Sequence, residues 1–179
     1  ADLKSVGLGF EVHLQFDGLD DAAHTALRGR PLLAQKLAAL DRLAEHGIPV
    51  TLVATLRNGV NMEGLGGLLR FALDHPAVRG LNLQCEARFG RNDTRPGAER
   101  VTQTQTVRAL ERQAPELLTA EDFLPLSCGL ASLAYLERVD GAWRPLPPAL
   151  AGVIPGNPMT TSIEDLHALP RCAPWREWL

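Results

Sequence analysis

Three short runs limit what this chain can fold into: VHLQFD at 12–17, IPVTLVAT at 48–55 and VRGLNLQCE at 78–86. Each alternates with the period of a β-strand, so successive side chains fall on opposite faces. A first strand is expected at 10–16, with Val12, Leu14 and Phe16 on one face and His13, Gln15 and Asp17 on the other. A second, at 48–55, places Thr51 and Thr55 on one face with Val53 between them. A third, at 78–86, sets Asn82, Gln84 and Glu86 opposite Leu81, Leu83 and Cys85.

Helical signals separate these strands. Residues 20–30 read as a polar connection with room for a short helix. Pro31 stands where a first helical position is expected, Leu33, Leu37, Leu40 and Ala44 follow at helical spacing, and Gly47 closes the segment. Asn61 is the expected cap of a second stripe, Leu65, Leu68, Leu69 and Ala72, whose first turn is weakened by Gly64, Gly66 and Gly67. A further helix is expected at about 103–114.

Strand-helix-strand order implies a parallel sheet, and parallel strands covered on both faces should be almost continuously apolar. These strands are not. A curled sheet of βα units resolves the conflict, with apolar faces outward against helices and polar faces lining a wet lumen. Barrel sites lie at the C-terminal ends of strands, here Asp17, Thr55 and Glu86. The competing arrangement is an antiparallel sheet with one solvated face. The long helix between the first two strands weighs against it, because a hairpin needs no such crossover.

At 179 residues the chain suits one domain with an appended tail. A net charge of -3 gives no basic footprint for nucleic acid. No apolar run approaches the ~20 residues of a membrane span. Cys85, Cys128 and Cys172 lie far apart in sequence, so a reduced, cytoplasmic setting is expected rather than a disulfide framework. There is no G-x-S-x-G and no phosphate-binding glycine loop. Beyond Pro115 a hairpin is expected, Ala134–Val139 with Ala142–Leu146 around Asp140-Gly141, before a proline-rich tail.

Several strings occur together in order: LQFDGL, LRGRPLLAQKLAALDRLAEHGIPVTLVATLRNGVN, GLNLQ, GR and DFLPLSC. In these the chain resembles, over about residues 1–140, the C-terminal part of a radical S-adenosylmethionine (SAM) enzyme. The resemblance is nearest to the branch of archaeal tetraether lipid synthase and pterin methyltransferase-like proteins. It implies an α/β fold, half of a partial (βα)6 TIM-like barrel, in which the three strands are the fourth to sixth. The half-barrel would occupy 1–115, and 116–179 would be an extension with a hairpin.

The resemblance also implies that Gln15, Asp17, Thr55, Asn58, Asn82 and Gln84 meet SAM, and that His13, Glu86 and Arg91 face substrate. Asp17 equally suits a turn with Gly18, Asn58 a turn with Gly59, and Glu86 an ion pair with Arg88 or Arg91. The family's CxxxCxxC motif for a [4Fe-4S] cluster is absent, so that cluster would be held by residues outside this chain. Cys128 lies where relatives carry ligands for an additional cluster.

With Ala1 rather than Met at its start, the chain is expected to be a processed or partial product. Its expected partners are a small-molecule or lipid substrate and either a missing N-terminal half-barrel or a second copy at the exposed sheet edge. The activity implied is alkylation or methylation at an unreactive carbon. The alternative is a non-catalytic half-barrel binding a small polar ligand or a partner protein.

Overall fold

The computed structural model describes residues 10–87, 100–125 and 132–147. Its centre is a three-stranded parallel sheet in the order β1 (Val12–Gln15), β2 (Val50–Leu56), β3 (Val78–Cys85). Two helices precede β2, α1 (Asp21–Arg28) and α2 (Leu33–Glu45); α3 (Leu65–Asp74) links β2 to β3, and α4 (Gln103–Gln113) follows.

Local chemistry sets these boundaries. The Asp20 carboxylate accepts from Ala23 N at 2.8 Å and starts α1, and Gly29, at φ 78°, ends it in the left-handed conformation. One residue into α1, Asp21 Oδ1 accepts from Leu32 N and Leu33 N, both at 2.9 Å. The first orphan donors of α2 are thus satisfied from the preceding helix, and that helix begins after Pro31 rather than at it. In α4 the Thr102 and Gln105 side chains form a reciprocal capping box.

Register sorts the strand residues into rows. Val50, Leu52, Ala54 and Leu56 of β2 are fully buried. They cluster with Phe16 and with Leu40, Leu65, Leu68, Leu69 and Leu110 of the helices. The opposite face carries His13, Thr51 and Gly80 in one row, Gln15, Val53 and Asn82 in the next, then Thr55 beside Gln84. The alternation in the sequence therefore separates a helix-covered face from a polar one. This mixed α/β arrangement is consistent with part of an α/β barrel.

Gly66 lies where α3 meets the end of α4. A Cβ there would stand 2.7 Å from both Gln113 Cβ and Gln113 O, so only glycine allows the crossing. The Gln113 side chain locks the contact, accepting from Gly66 N at 2.9 Å and donating to Met62 O at 2.8 Å. Of the glycines in the expected weak first turn, Gly66 alone marks a close approach; Met62–Gly64 is a 3-10 turn, and α3 proper starts at Leu65.

Past α4, β4 (Leu124–Pro125) pairs antiparallel with β5 (Ser132–Leu133), and β6 (Leu136–Val139) with β7 (Ala142–Pro145). Between the last two, Asp140 and Gly141 adopt φ 50° and 83°.

Candidate functional site

The C-terminal ends of β1 and β2 are joined by side chains instead of by a continued backbone ladder. The last main-chain bond between them is Phe16 N to Val53 O at 2.7 Å. Beyond it, Asp17 takes over. Its carboxylate is fully buried, and Oδ1 accepts from Thr55 N at 2.9 Å, Gln15 Nε2 at 2.8 Å and Arg28 Nη2 at 2.9 Å. Arg28 Nε completes a bidentate clasp on Oδ2 at 2.7 Å. Arg28 Nη2 also donates to Thr55 Oγ1 at 2.8 Å.

Burial works against a charged Asp17, but the bonds from Arg28, Thr55 and Gln15 outweigh it and hold the carboxyl below its ordinary range. Its partnership in turn raises the Arg28 pKa. Asp17 is therefore an ionised group whose neighbours use both of its oxygens.

Asn61 bridges the same strand ends from the other side. Its Nδ2 donates to Asp17 O and to Thr55 O, each at 2.8 Å, and its Oδ1 accepts from Arg57 N at 3.0 Å. The cap expected of Asn61 is not made: its side chain gives no capping bond to the following turn. One amide turned to three backbone groups of two converging strands is thereby held away from the helix start.

A second ion pair ties β2 to β3. Arg57 Nε donates to Glu86 Oε1 at 3.0 Å, with Nη2 closing on the same oxygen, and Nη1 reaches Ala26 O of α1 at 3.2 Å. Glu86 thus pairs with Arg57, which the register brings beside it. Arg88 and Arg91 were the partners expected from sequence proximity, and both lie outside the described residues.

Among the other expected residues, His13 is exposed at the opposite end of the sheet, with Nε2 2.9 Å from Glu11 Oε1. Asn58 is exposed in the turn after β2. Asn82 and Gln84 are exposed on the polar face of β3. Arg91 and Cys128 lie outside the described residues.

The structure thus gathers Gln15, Asp17 and Thr55 into one cluster and adds Arg28, from the expected polar connection, and Asn61, expected as a helix cap. It also buries His24, whose Nε2 donates to Gly18 O at 3.1 Å under the turn that follows Asp17.

A cavity of about 850 Å³ runs along the outer edge of β3 towards β6 and β7, with Asn82, Gln84, Leu110, Tyr135 and Trp143 among its walls. Burial raises the Tyr135 phenol above its usual range. No group of three metal-ligating side chains occurs among the described residues. They therefore do not fit a [4Fe-4S] cluster, which needs several protein thiolates. No helix among the described residues is long and apolar enough to cross a membrane.

Fold and site together define an α/β protein built on consecutive parallel βαβ units, with a hydrogen-bonded polar mouth at the strand C-termini. No family model matches the chain. Over 146 residues, 80% of its length, it is 35% identical to the 7,8-dihydro-6-hydroxymethylpterin dimethyltransferase of Methanocaldococcus jannaschii. The chain spans 29% of the length of that protein. At a coarse level the similarity supports a radical SAM-like relative.

Proposed function

We propose that this chain is the SAM- and substrate-binding part of a radical SAM methyltransferase-type enzyme. The observation that carries the reading is the agreement of two independent features. One is a parallel sheet whose polar face and C-terminal mouth bear Gln15, Thr55, Asn82 and Gln84. The other is a relative whose name states a dimethyltransferase.

In this reading residues 1–115 form the half-barrel and 116–179 an extension, in a reducing cytoplasmic setting. A [4Fe-4S] cluster would be held by protein outside this chain, since the described residues offer no ligand set for it, and would supply the reducing chemistry toward SAM. This chain binds and orients the nucleoside and substrate, and its mouth excludes water from them. Arg28 and Arg57 each carry their own carboxylate partner, so the mouth orients by hydrogen bonds more than by net charge. The substrate is a small polar molecule or a lipid, and the edge of β1, unpaired among the described residues, receives the remaining half-barrel or a second copy.

The test uses the full-length natural protein, reconstituted anaerobically with iron and sulfide and reduced in the presence of SAM. Release of 5'-deoxyadenosine or methylation of an added pterin supports the reading. A reconstituted, SAM-binding protein that yields neither would leave the ligand-binding module in its place.

A further inference from the structure

We propose that Asp17 is a positioning residue, and that the ligand-facing atoms of its cluster are Gln15 Oε1 and Arg28 Nη1. The inference rests on the reading of the mouth as a ligand site and goes beyond it, because it reassigns the residue that looks most like a ligand contact.

The geometry of Gln15 carries the argument. Its Nε2 points at three oxygens: Asp17 Oδ1 at 2.8 Å, Val53 O at 3.0 Å and Thr55 Oγ1 at 3.3 Å. The first two can only accept, since one belongs to an ionised carboxylate and the other to a carbonyl. Turning the amide over would set its own oxygen against both, so the orientation is fixed. Its Oε1 accepts no hydrogen bond among the described residues. This half-buried side chain stands on the polar face, in the row of Val53 and Asn82.

Arg28 is held in the same way. Nε and Nη2 are committed to Asp17 and Thr55, while Nη1 makes no hydrogen bond among the described residues and the side chain stays one-third exposed. Gln15 and Arg28 converge on one carboxylate oxygen, Asp17 Oδ1. A fixed acceptor and a fixed cationic donor therefore flank a carboxylate that has nothing left to offer.

Such a pair recognises a ligand edge with a donor next to an acceptor or anionic oxygen. Two sources share that chemistry: the α-amino-acid end of an adenosyl cofactor, and the lactam edge of a substrate heterocycle.

Three probes separate them by calorimetry on the full-length natural protein: S-adenosylhomocysteine, 5'-methylthioadenosine, which lacks the amino-acid end, and 6-hydroxymethylpterin. Gln15→Met is expected to weaken one paired-edge probe about tenfold or more and to leave methylthioadenosine unchanged. Loss for adenosylhomocysteine assigns the edge to the cofactor, and loss for the pterin assigns it to the substrate.

Asp17→Asn should weaken the same probe about as much as Gln15→Met, and the double variant should lose much less than the product of the two. Losses that multiply would mean an independent Asp17 contact and would overturn the proposal, as would a Gln15→Met protein that binds all probes normally. If the natural protein binds none of the three, the ligand-site reading falls and takes this inference with it. Thermal unfolding of each variant is run alongside. Should Asp17→Asn fail to fold, Asp17→Glu keeps the charge but displaces both partners and is expected to weaken the same probe, and normal binding by it would overturn the proposal.

Discussion

Arg28 clasps Asp17 through two parallel bonds of 2.7 and 2.9 Å, and so joins the end of α1 to the end of β1 across a fully buried carboxylate. Removing one partner of such a pair leaves the other without compensation. Asp17→Ala is therefore expected to destabilise the fold by roughly 3 kcal/mol, the low end for a buried pair because Arg28 is partly solvated. Urea titration of both proteins measures the difference; a loss below ~1 kcal/mol would show that the cluster adds little to folding.

The same pair makes stability depend on pH in a definite direction. The hydrogen bonds from Arg28, Thr55 and Gln15 hold the folded pKa of Asp17 below the ordinary aspartate value. The stabilisation is thus fully present above about pH 4 and disappears as pH falls through the folded value. Asp17→Asn should flatten the acid limb of a stability-against-pH curve. An unchanged acid limb would assign that limb to other carboxylates.

Asn61 is 7% exposed, and its amide satisfies three backbone groups. Asn61→Ala strands two carbonyls and an N–H, at a cost of roughly 1–3 kcal/mol. Asn61→Asp should be at least as costly, since its carboxylate would face the oxygens of Asp17 and Thr55. Hydrogen exchange at the Arg57 amide gives a local readout, with protection lost in Asn61→Ala, which removes its acceptor, and kept in Asn61→Asp, whose carboxylate oxygen can still accept.

At the helix crossing, Gly66→Ala pushes a methyl into Gln113 backbone and side chain at 2.7 Å. Overpacking of this kind costs typically 1–3 kcal/mol. The melting temperature should fall, and Gly66→Ala with Gln113→Ala should recover little, because the Gln113 carbonyl stays in place.

By contrast, Glu86→Gln should cost about 1 kcal/mol or less. Its partner Arg57 is one-third exposed and keeps the Ala26 carbonyl as an acceptor. A larger loss in denaturant titration than for Asp17→Asn would reverse the ranking of the two ion pairs.

The strands were legible because period two survives in Val12–Gln15, Val50–Leu56 and Val78–Cys85, and helical spacing survives between them. The polar rows followed from the same alternation. What the sequence did not disclose was which distant backbone atoms would meet. Asn61 has the chemistry of a cap and of a bridge alike, and only the convergence of Asp17 O and Thr55 O decides between them. Arg57 could have been paired with Glu86 once a parallel register was assumed, since Leu56 aligns with Cys85. Arg28 gave no such signal, because a cation ending a short polar helix is ordinarily solvated.

Where the main-chain ladder between β1 and β2 stops, the Asp17 carboxylate and the Asn61 amide continue it as substitute peptide groups. Here the spacing of the two strands is governed by side-chain length, which is heritable one codon at a time, while the main-chain spacing below is the same for every sequence. The aperture of this sheet can therefore be widened or narrowed by point substitution at two positions, with the hydrophobic layer beneath left as it is.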